Sequence, residues 1–361
     1  GAYYIQNLIS SLNKLQFSEQ PLLYIVTKDK KAFQDLQKQT KSKRLKFVKD
    51  KVTYNTFEVI LNKIWVKLFG KKIIRKKINL DCLFPVYNIP NNLKHVKNLI
   101  FWIPDLQEKF YPDFFSSEEL HYRHLYCEDM IRLNYPIVFS SKTALNDFVT
   151  FYPNSKNTKF VLPFAVTHPN IHNVNIDAIK SKYEIEGSYF MAPNQFWQHK
   201  NHIAIIEAVK ILKDKGEKVK IVFTGKEFDH RNPNYTIFLK EKVKEYNLEN
   251  EIRFLGFIDR IDQLVLMKYA EAIIQPSLFE GWSTVVEDAK ALNQTLIVSN
   301  IPVHIEQLGD EAYYFEPNDY YELAKNMIEV ITNPIQKLKF SSNYKQNIIR
   351  FAKNFKEILY K

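Results

Sequence analysis

A glycine and three acids stand close to a predicted helix start in the run Gln275-Pro276-Ser277-Leu278-Phe279-Glu280-Gly281-Trp282-Ser283-Thr284-Val285-Val286-Glu287-Asp288-Ala289. A strand pattern ends at Pro276-Ser277, a short loop carries Gly281, and a helix pattern begins near Thr284. Backbone N–H groups left open at such a loop and helix start attract anions, and the helix dipole adds to the attraction. A diphosphate fits that chemistry. Gly281 would let the backbone approach a ligand closely. The spacing Thr284-x-x-Glu287 predicts a capping box. Adjacent helical side chains point about 100° apart, so a capped Glu287 leaves Asp288 as the acid free for a ligand.

A second segment, Met191-Ala192-Pro193-Asn194-Gln195-Phe196-Trp197-Gln198-His199-Lys200, also follows a strand and opens a helix. Lys200 can pair with a phosphate as a point charge. The chain has only 8 glycines in 361 residues, so a retained glycine is expected to meet a backbone need. Gly225 and Gly256 each close a predicted strand. His199 and His202 share an i, i+3 spacing, as do His121 and His124, but no third ligand accompanies either pair. They read as polar residues at helix starts, and no metal is expected.

These segments need a scaffold of strands and helices. Strands are predicted over 21–27, 45–48, 98–103 and 136–140, with helices over 29–39 and 116–133. The second half predicts strands over 189–192, 219–224, 252–255, 272–275 and 295–299. Helices over 200–212, 235–247, 261–269, 284–292, 319–332 and 338–360 accompany them. Such alternation implies doubly wound α/β domains, whose ligands bind at the carboxyl ends of parallel strands. Residues 163–177, rich in Pro, His and Asn, read as a linker. The domains are therefore 1–162 and 178–337, followed by a helix over 338–361. A doubly wound domain usually opens on a strand; here residue 1 is already the glycine and Gly1-Ala2-Tyr3-Tyr4 reads as a helix entry, so either a first strand is missing or the fold begins on a helix.

With these residues in view, the Glu280 segment resembles the donor motif of family 4 retaining glycosyltransferases (glycosyltransferase group 1). That motif is an acid, Gly, an aromatic, a small residue, four further positions, a second acid and Ala. The resemblance implies the GT-B fold: two Rossmann-like domains facing a central cleft. It implies that Glu280 contacts sugar hydroxyls, that Gly281, Trp282, Ser283 and Thr284 line the sugar and phosphates, and that Asp288 takes the ribose. Lys200 falls on the lysine of the family's phosphate-binding turn. Asn194, followed by Gln195, stands where the family carries arginine, so other cations are expected to share the leaving-group charge. Gly225 and the turn Gly256-Phe257-Ile258 resemble the remaining donor-side turns, the second being where members seat the base. The family often has His-Asp near residue 105; this chain has Pro104-Asp105, which leaves Asp105 as an acceptor-side candidate.

The resemblance thus implies transfer of a hexosyl group from a nucleotide diphosphate sugar to a saccharide or lipid-linked saccharide, in surface polysaccharide or glycan synthesis. The nucleotide sugar is co-substrate, and no metal or cofactor is implied. The charge of +11 allows nucleic acid, anionic lipid or a diphosphate as partner. Much of the excess sits in residues 38–77: Lys38 to Lys51, then Ile64-Trp65-Val66-Lys67-Leu68-Phe69 running into Lys71, Lys72, Arg75, Lys76 and Lys77. That mixture suits an interfacial helix on an anionic membrane or a soluble helix with a core-facing stripe. No run of about 18 apolar residues occurs. Cys82 and Cys127 form no disulfide framework, so a reducing cytoplasm is the simplest compartment, with a peripheral place on the membrane's cytoplasmic face.

A nucleotide-sugar epimerase of the same fold is the first rival. A basic nucleic-acid-binding protein is the second, though nothing resembles a reading helix or a stacking sheet. A scaffold that has lost activity is the third. No D-x-D and no G-x-G-x-x-G occurs, which argues against the metal-dependent transferase fold and against a dinucleotide oxidoreductase.

Overall fold

Short apolar runs become parallel strands, and capped helices connect them. The computed structural model describes residues 2–27, 29–49, 56–70, 80–86, 96–333 and 344–360. From the amino terminus, α1 (Ala2–Leu12) precedes β1 (Leu23–Thr27), α2 (Lys30–Thr40), β2 (Leu45–Lys49) and α3 (Thr56–Phe69). Then come β3 (Leu80–Leu83), β4 (Val96–Leu99), β5 (Phe101–Ile103), α4 (Gln107–Phe110), α5 (Ser117–Leu133), β6 (Ile137–Phe139), α6 (Lys142–Phe151) and β7 (Lys159–Val161). β1 pairs with β2, β3 with β4, and β5–β6–β7 form a third sheet, all in parallel. The strand expected over 98–103 changes partner at Ile100, whose N–H bonds Leu83 and whose carbonyl accepts from Val86. Every buried backbone group needs a partner, and Ile100 finds its own beside β3 while Phe101 onward pairs with β6. Ser116 and Glu119 cap α5 reciprocally.

The second half contains α7 (Ile176–Lys182), β8 (Phe190–Ala192), α8 (His202–Asp214), β9 (Ile221–Phe223), α9 (Tyr235–Glu245), β10 (Ile252–Phe254), α10 (Arg260–Tyr269) and β11 (Ile273–Gln275). It continues with α11 (Thr284–Leu292), β12 (Leu296–Ser299), α12 (Pro302–Leu308), β13 (Tyr313–Phe315), α13 (Tyr320–Thr332) and α14 (Tyr344–Tyr360). Its six strands form one parallel sheet ordered β10-β9-β8-β11-β12-β13. Successive strand residues face opposite sides. Phe190, Ile274 and Ile297 pack in one cluster with α8 and α13, whereas Met191, Ile273 and Val298 pack in another with α10 and α11. Burial on both faces explains why these strands read as unbroken apolar runs.

The order of the sheet locates the site. From β8 the chain runs outward through β9 to β10, then crosses back to β11 and continues the other way. The strand order reverses between β8 and β11, and ligands of doubly wound sheets bind at such a point, beyond the carboxyl ends. The segments ending in Lys200 and Glu280 leave from these two strands. The helix expected from Lys200 opens instead at His202. Asn201 takes a left-handed conformation (φ 55°) between a 3₁₀ turn over Gln198–Lys200 and α8, with its amide on the Pro276 and Pro317 carbonyls.

Two features tie the halves together. On α14, Phe351, Phe355 and Ile358 share a buried cluster with Tyr4, Leu8 and Leu12 of α1. Glu306 of α12 accepts the Lys142 and Thr143 N–H groups, 2.8 Å each, at the start of α6. An acid at a helix amino terminus meets both open donors and the dipole. By contrast, α3 leaves Phe57, Ile60, Ile64, Leu68 and Phe69 exposed. Its apolar residues therefore do not form the core-facing stripe that one sequence alternative expected.

Candidate active site

Beyond the ends of β8 and β11, Lys200 and Glu280 meet as an ion pair of 2.5 Å with little exposure on either side chain. Gln275 Nε2 (2.7 Å) and Ser277 Oγ (2.8 Å) donate to the same Glu280 oxygen. Burial would raise the Glu280 carboxyl, but the Lys200 ammonium outweighs it and holds the acid at about 2. Glu280 is therefore charged at any ordinary working pH. Its stabilising contribution is complete above its usual range and is lost only as pH falls toward 2. Behind the loop, fully buried His304 is held at about 4 by burial, and its Nδ1 lies 2.9 Å from the Ser299 carbonyl oxygen.

Two glycines are dictated by chain packing. A Cβ on Gly281 would lie 2.2 Å from the Pro104 carbonyl oxygen and 3.0 Å from the Asp105 Cβ. The donor-side loop thus abuts the loop after β5, and Gly281 permits that close approach between the two halves. At Gly225 (φ 144°) a Cβ would lie 2.1 Å from the Asn194 carbonyl oxygen. That glycine serves the contact between the two strand-end loops. Asn194 is buried and its Nδ2 has no partner among the described residues, an open donor beside Lys200's turn. Gln195 is exposed and outside the buried cluster. Asp105 joins the pair electrostatically. Burial raises its carboxyl, Glu280 pushes the same way, and the Gln107 N–H (3.2 Å) opposes.

The start of α11 departs from expectation. Ser283, not Thr284, caps the helix, accepting the Val286 N–H at 3.4 Å, and Thr284 is its first residue. Glu287 is no capping-box partner. It is 2% exposed and accepts from Lys290 (3.0 Å), Gln307 (3.0 Å) and Tyr344 of α14. A buried carboxylate needs such partners, and the carboxyl-terminal helix supplies one of them. The Ser283 N–H donates to Gln307 Oε1 at 3.1 Å, so it is not open to a phosphate. The Trp282 indole donates to the Phe164 carbonyl and packs into the α1–α14 cluster, away from the donor side.

Asp288 is equally buried, and its contacts converge on Oδ1: Arg260 at 2.5 Å, His168 at 2.8 Å and Tyr3 at 3.5 Å. Arg260 also donates to the Tyr3 hydroxyl. Arg260 opens α10 four residues beyond Gly256, beside the turn where the base was expected. There Phe257 is 84% exposed while Ile258 packs against the sheet cluster. The Gly256 carbonyl accepts the Gly225 N–H at 2.9 Å, linking the two turns. Arg260, His168 and Tyr3 were not singled out from sequence. The arginine's place just past a strand-end glycine was the available signal.

His202 is fully buried and stacked on Phe196 (4.5 Å between ring centres), so it is core rather than a solvated helix start. Among the described residues no group of three or more His, Cys, Asp or Glu could hold a metal ion. Of the basic run, Lys51, Lys71, Lys72, Arg75, Lys76 and Lys77 lie outside the described residues.

Residues 175–349 match the family glycosyl transferases group 1. The O-antigen chain mannosyltransferase RfbU of Salmonella typhimurium is 25% identical over 224 residues, 62% of this chain and 58% of the relative. The putative glycosyltransferase EpsF of Bacillus subtilis is 27% identical over 106 residues, 29% of this chain and 26% of the relative. The matched stretches thus span under two thirds of either curated relative. Among solved structures, Anabaena Alr3699/HepE in complex with UDP and glucose superposes with a TM-score of 0.68 at 12% identity, covering 100% of this chain and 96% of that one. A glycosyltransferase from Rickettsia africae gives 0.63 at 18% identity, covering 98% and 93%. These likenesses show the GT-B fold.

Proposed function

We propose that the chain, whose residues 175–349 match the family glycosyl transferases group 1, moves a hexosyl group from a nucleotide diphosphate sugar to a saccharide or lipid-linked saccharide, with the anomeric configuration retained. The observation that carries this reading is the buried Lys200–Glu280 pair at the point where the sheet order reverses. A donor placed there has its diphosphate beside Lys200 and the open Asn194 amide, and its sugar beside the Glu280 carboxylate. The ribose lies toward Asp288 and the base over the Gly256–Ile258 turn. Retention follows if the acceptor attacks from the side that the diphosphate leaves, the departing phosphate taking the hydroxyl proton. Lys200 and Arg260 supply the positive charge, so no metal is required. Mannose is the first sugar to try, given the name of the Salmonella relative, and surface polysaccharide the first acceptor class.

The reading is tested by incubating UDP-, GDP-, ADP- and dTDP-sugars with the protein in EDTA, with and without a saccharide acceptor pool. Sugar should move to the acceptor, and donor alone should at most hydrolyse slowly. Accumulation of a free, isomerised nucleotide sugar would make the protein an epimerase.

The exposed apolar face of α3, followed in sequence by Lys71, Lys72, Arg75, Lys76 and Lys77, favours an anionic membrane surface as a further partner, on the cytoplasmic face. Among the described residues no helix is long and apolar enough to cross a membrane. Vesicles containing anionic lipid should sediment the protein in low salt, less so in high salt, and less when those five residues are neutralised. Absence of sedimentation removes this partner.

A further inference from the structure

Between the two halves lies a cavity of about 400 Å³ that opens onto Glu280, a size within the range of small-molecule sites. One wall is aromatic. Phe110, nearly half exposed, and Phe279 stand with ring centres 5.3 Å apart. The other wall is α6, which presents Thr143 and Asp147. Asp147 makes no ion pair or side-chain hydrogen bond among the described residues. Burial, with Asp105 behind it, pushes its carboxyl up to about 6. A half-buried carboxylate without donors is costly, and sugar hydroxyls are donors that could satisfy it. The apolar face of a pyranose ring suits the aromatic wall.

We infer that this cavity seats the acceptor's terminal sugar, its ring against Phe110 and Phe279 and its hydroxyls on Asp147, and that the seat selects a neutral sugar over a uronic acid or a phosphate-bearing one. Three carboxyls, on Asp105, Asp147 and Glu280, bear on the cavity. Glu280 is paired with Lys200 and burial favours the neutral form of Asp105, so the like charge that an anionic ring would enter against is that of Asp147, which is ionised above about pH 6. The inference rests on the transferase reading, because that reading places the donor sugar at Glu280.

The test is binding of methyl hexopyranosides and the corresponding methyl uronides, followed by saturation-transfer NMR on protein loaded with the best-binding nucleoside diphosphate. A neutral glycoside should bind, and the uronide at least tenfold more weakly. Asp147→Asn should lower neutral-glycoside affinity at least tenfold and narrow the gap to the uronide. Phe110→Ala, at a partly exposed position, should weaken the same glycoside without unfolding the protein. Wild-type affinity in both variants overturns the inference, as does a uronide that binds as well as the neutral glycoside, or no glycoside binding at all. The nucleotide's own effect on Tm, read on the same samples, separates the two levels. A nucleotide shift accompanied by glycoside affinity that does not depend on Asp147 sinks only the acceptor seat, and no shift with any nucleotide sinks the donor reading beneath it.

Discussion

Glu280→Gln is expected to lower kcat for sugar transfer roughly 100- to 1,000-fold while the protein stays folded, the range seen when one preorganised charge-stabilising group is lost. On the proposed reading the donor sugar lies beside Glu280, and a fixed carboxylate there would stabilise the positive charge that develops in an oxocarbenium-like state. Glu280 suits that role because Lys200, Gln275 and Ser277 hold it in place and Lys200 keeps it ionised. Glutamine keeps the volume and an oxygen to accept from Gln275 and Ser277, but it leaves the Lys200 ammonium without its carboxylate, so the stability cost should be about 3–5 kcal/mol. Steady-state kinetics beside a thermal melt read both quantities. Wild-type kcat in a folded variant would remove Glu280 from the chemistry.

Lys200→Met should act on stability and on donor affinity together. It strands a buried carboxylate, and breaking such a pair from one side costs about 3–5 kcal/mol. Adding Glu280→Gln removes the stranded charge, so the double variant should regain much of that loss. Donor affinity should not recover with it. A charge-assisted hydrogen bond to phosphate contributes about 1.5–3 kcal/mol, so both variants should bind the nucleotide sugar about 10- to 150-fold more weakly. Denaturant melts and calorimetric titration separate the two effects.

Loops at strand ends were readable because local pattern marks them: an apolar run, a glycine or proline, then a helix. Lys200 and Glu280 stand in such loops, and the parallel order of the sheet brings them together. What long-range packing decides was hidden. Thr284-x-x-Glu287 reads as a capping box, but Tyr344 and Gln307 claim Glu287, and Ser283 takes the cap. The sequence does not show that the Pro104 and Asn194 carbonyls leave no room for a Cβ at Gly281 and Gly225. Helices α6 and α12 went unanticipated. Both are short, and Glu306 caps α6 from 163 or more positions away in sequence. Asp147 looks like an ordinary surface acid on such a helix until the facing half supplies Phe279 and Glu280.

The most direct test of the central claim, that Lys200 and Glu280 grip a nucleotide diphosphate sugar, is titration of the best nucleotide sugar into wild type, Lys200→Met and the Lys200→Met/Glu280→Gln pair. Wild type should bind, and at a hundred times its dissociation constant the ligand should add about 2.7 kcal/mol of stability. Both variants should bind at least tenfold more weakly, although only one of them is strongly destabilised. Equal affinity in all three proteins would contradict the account, since the donor would then be held somewhere other than beyond β8 and β11.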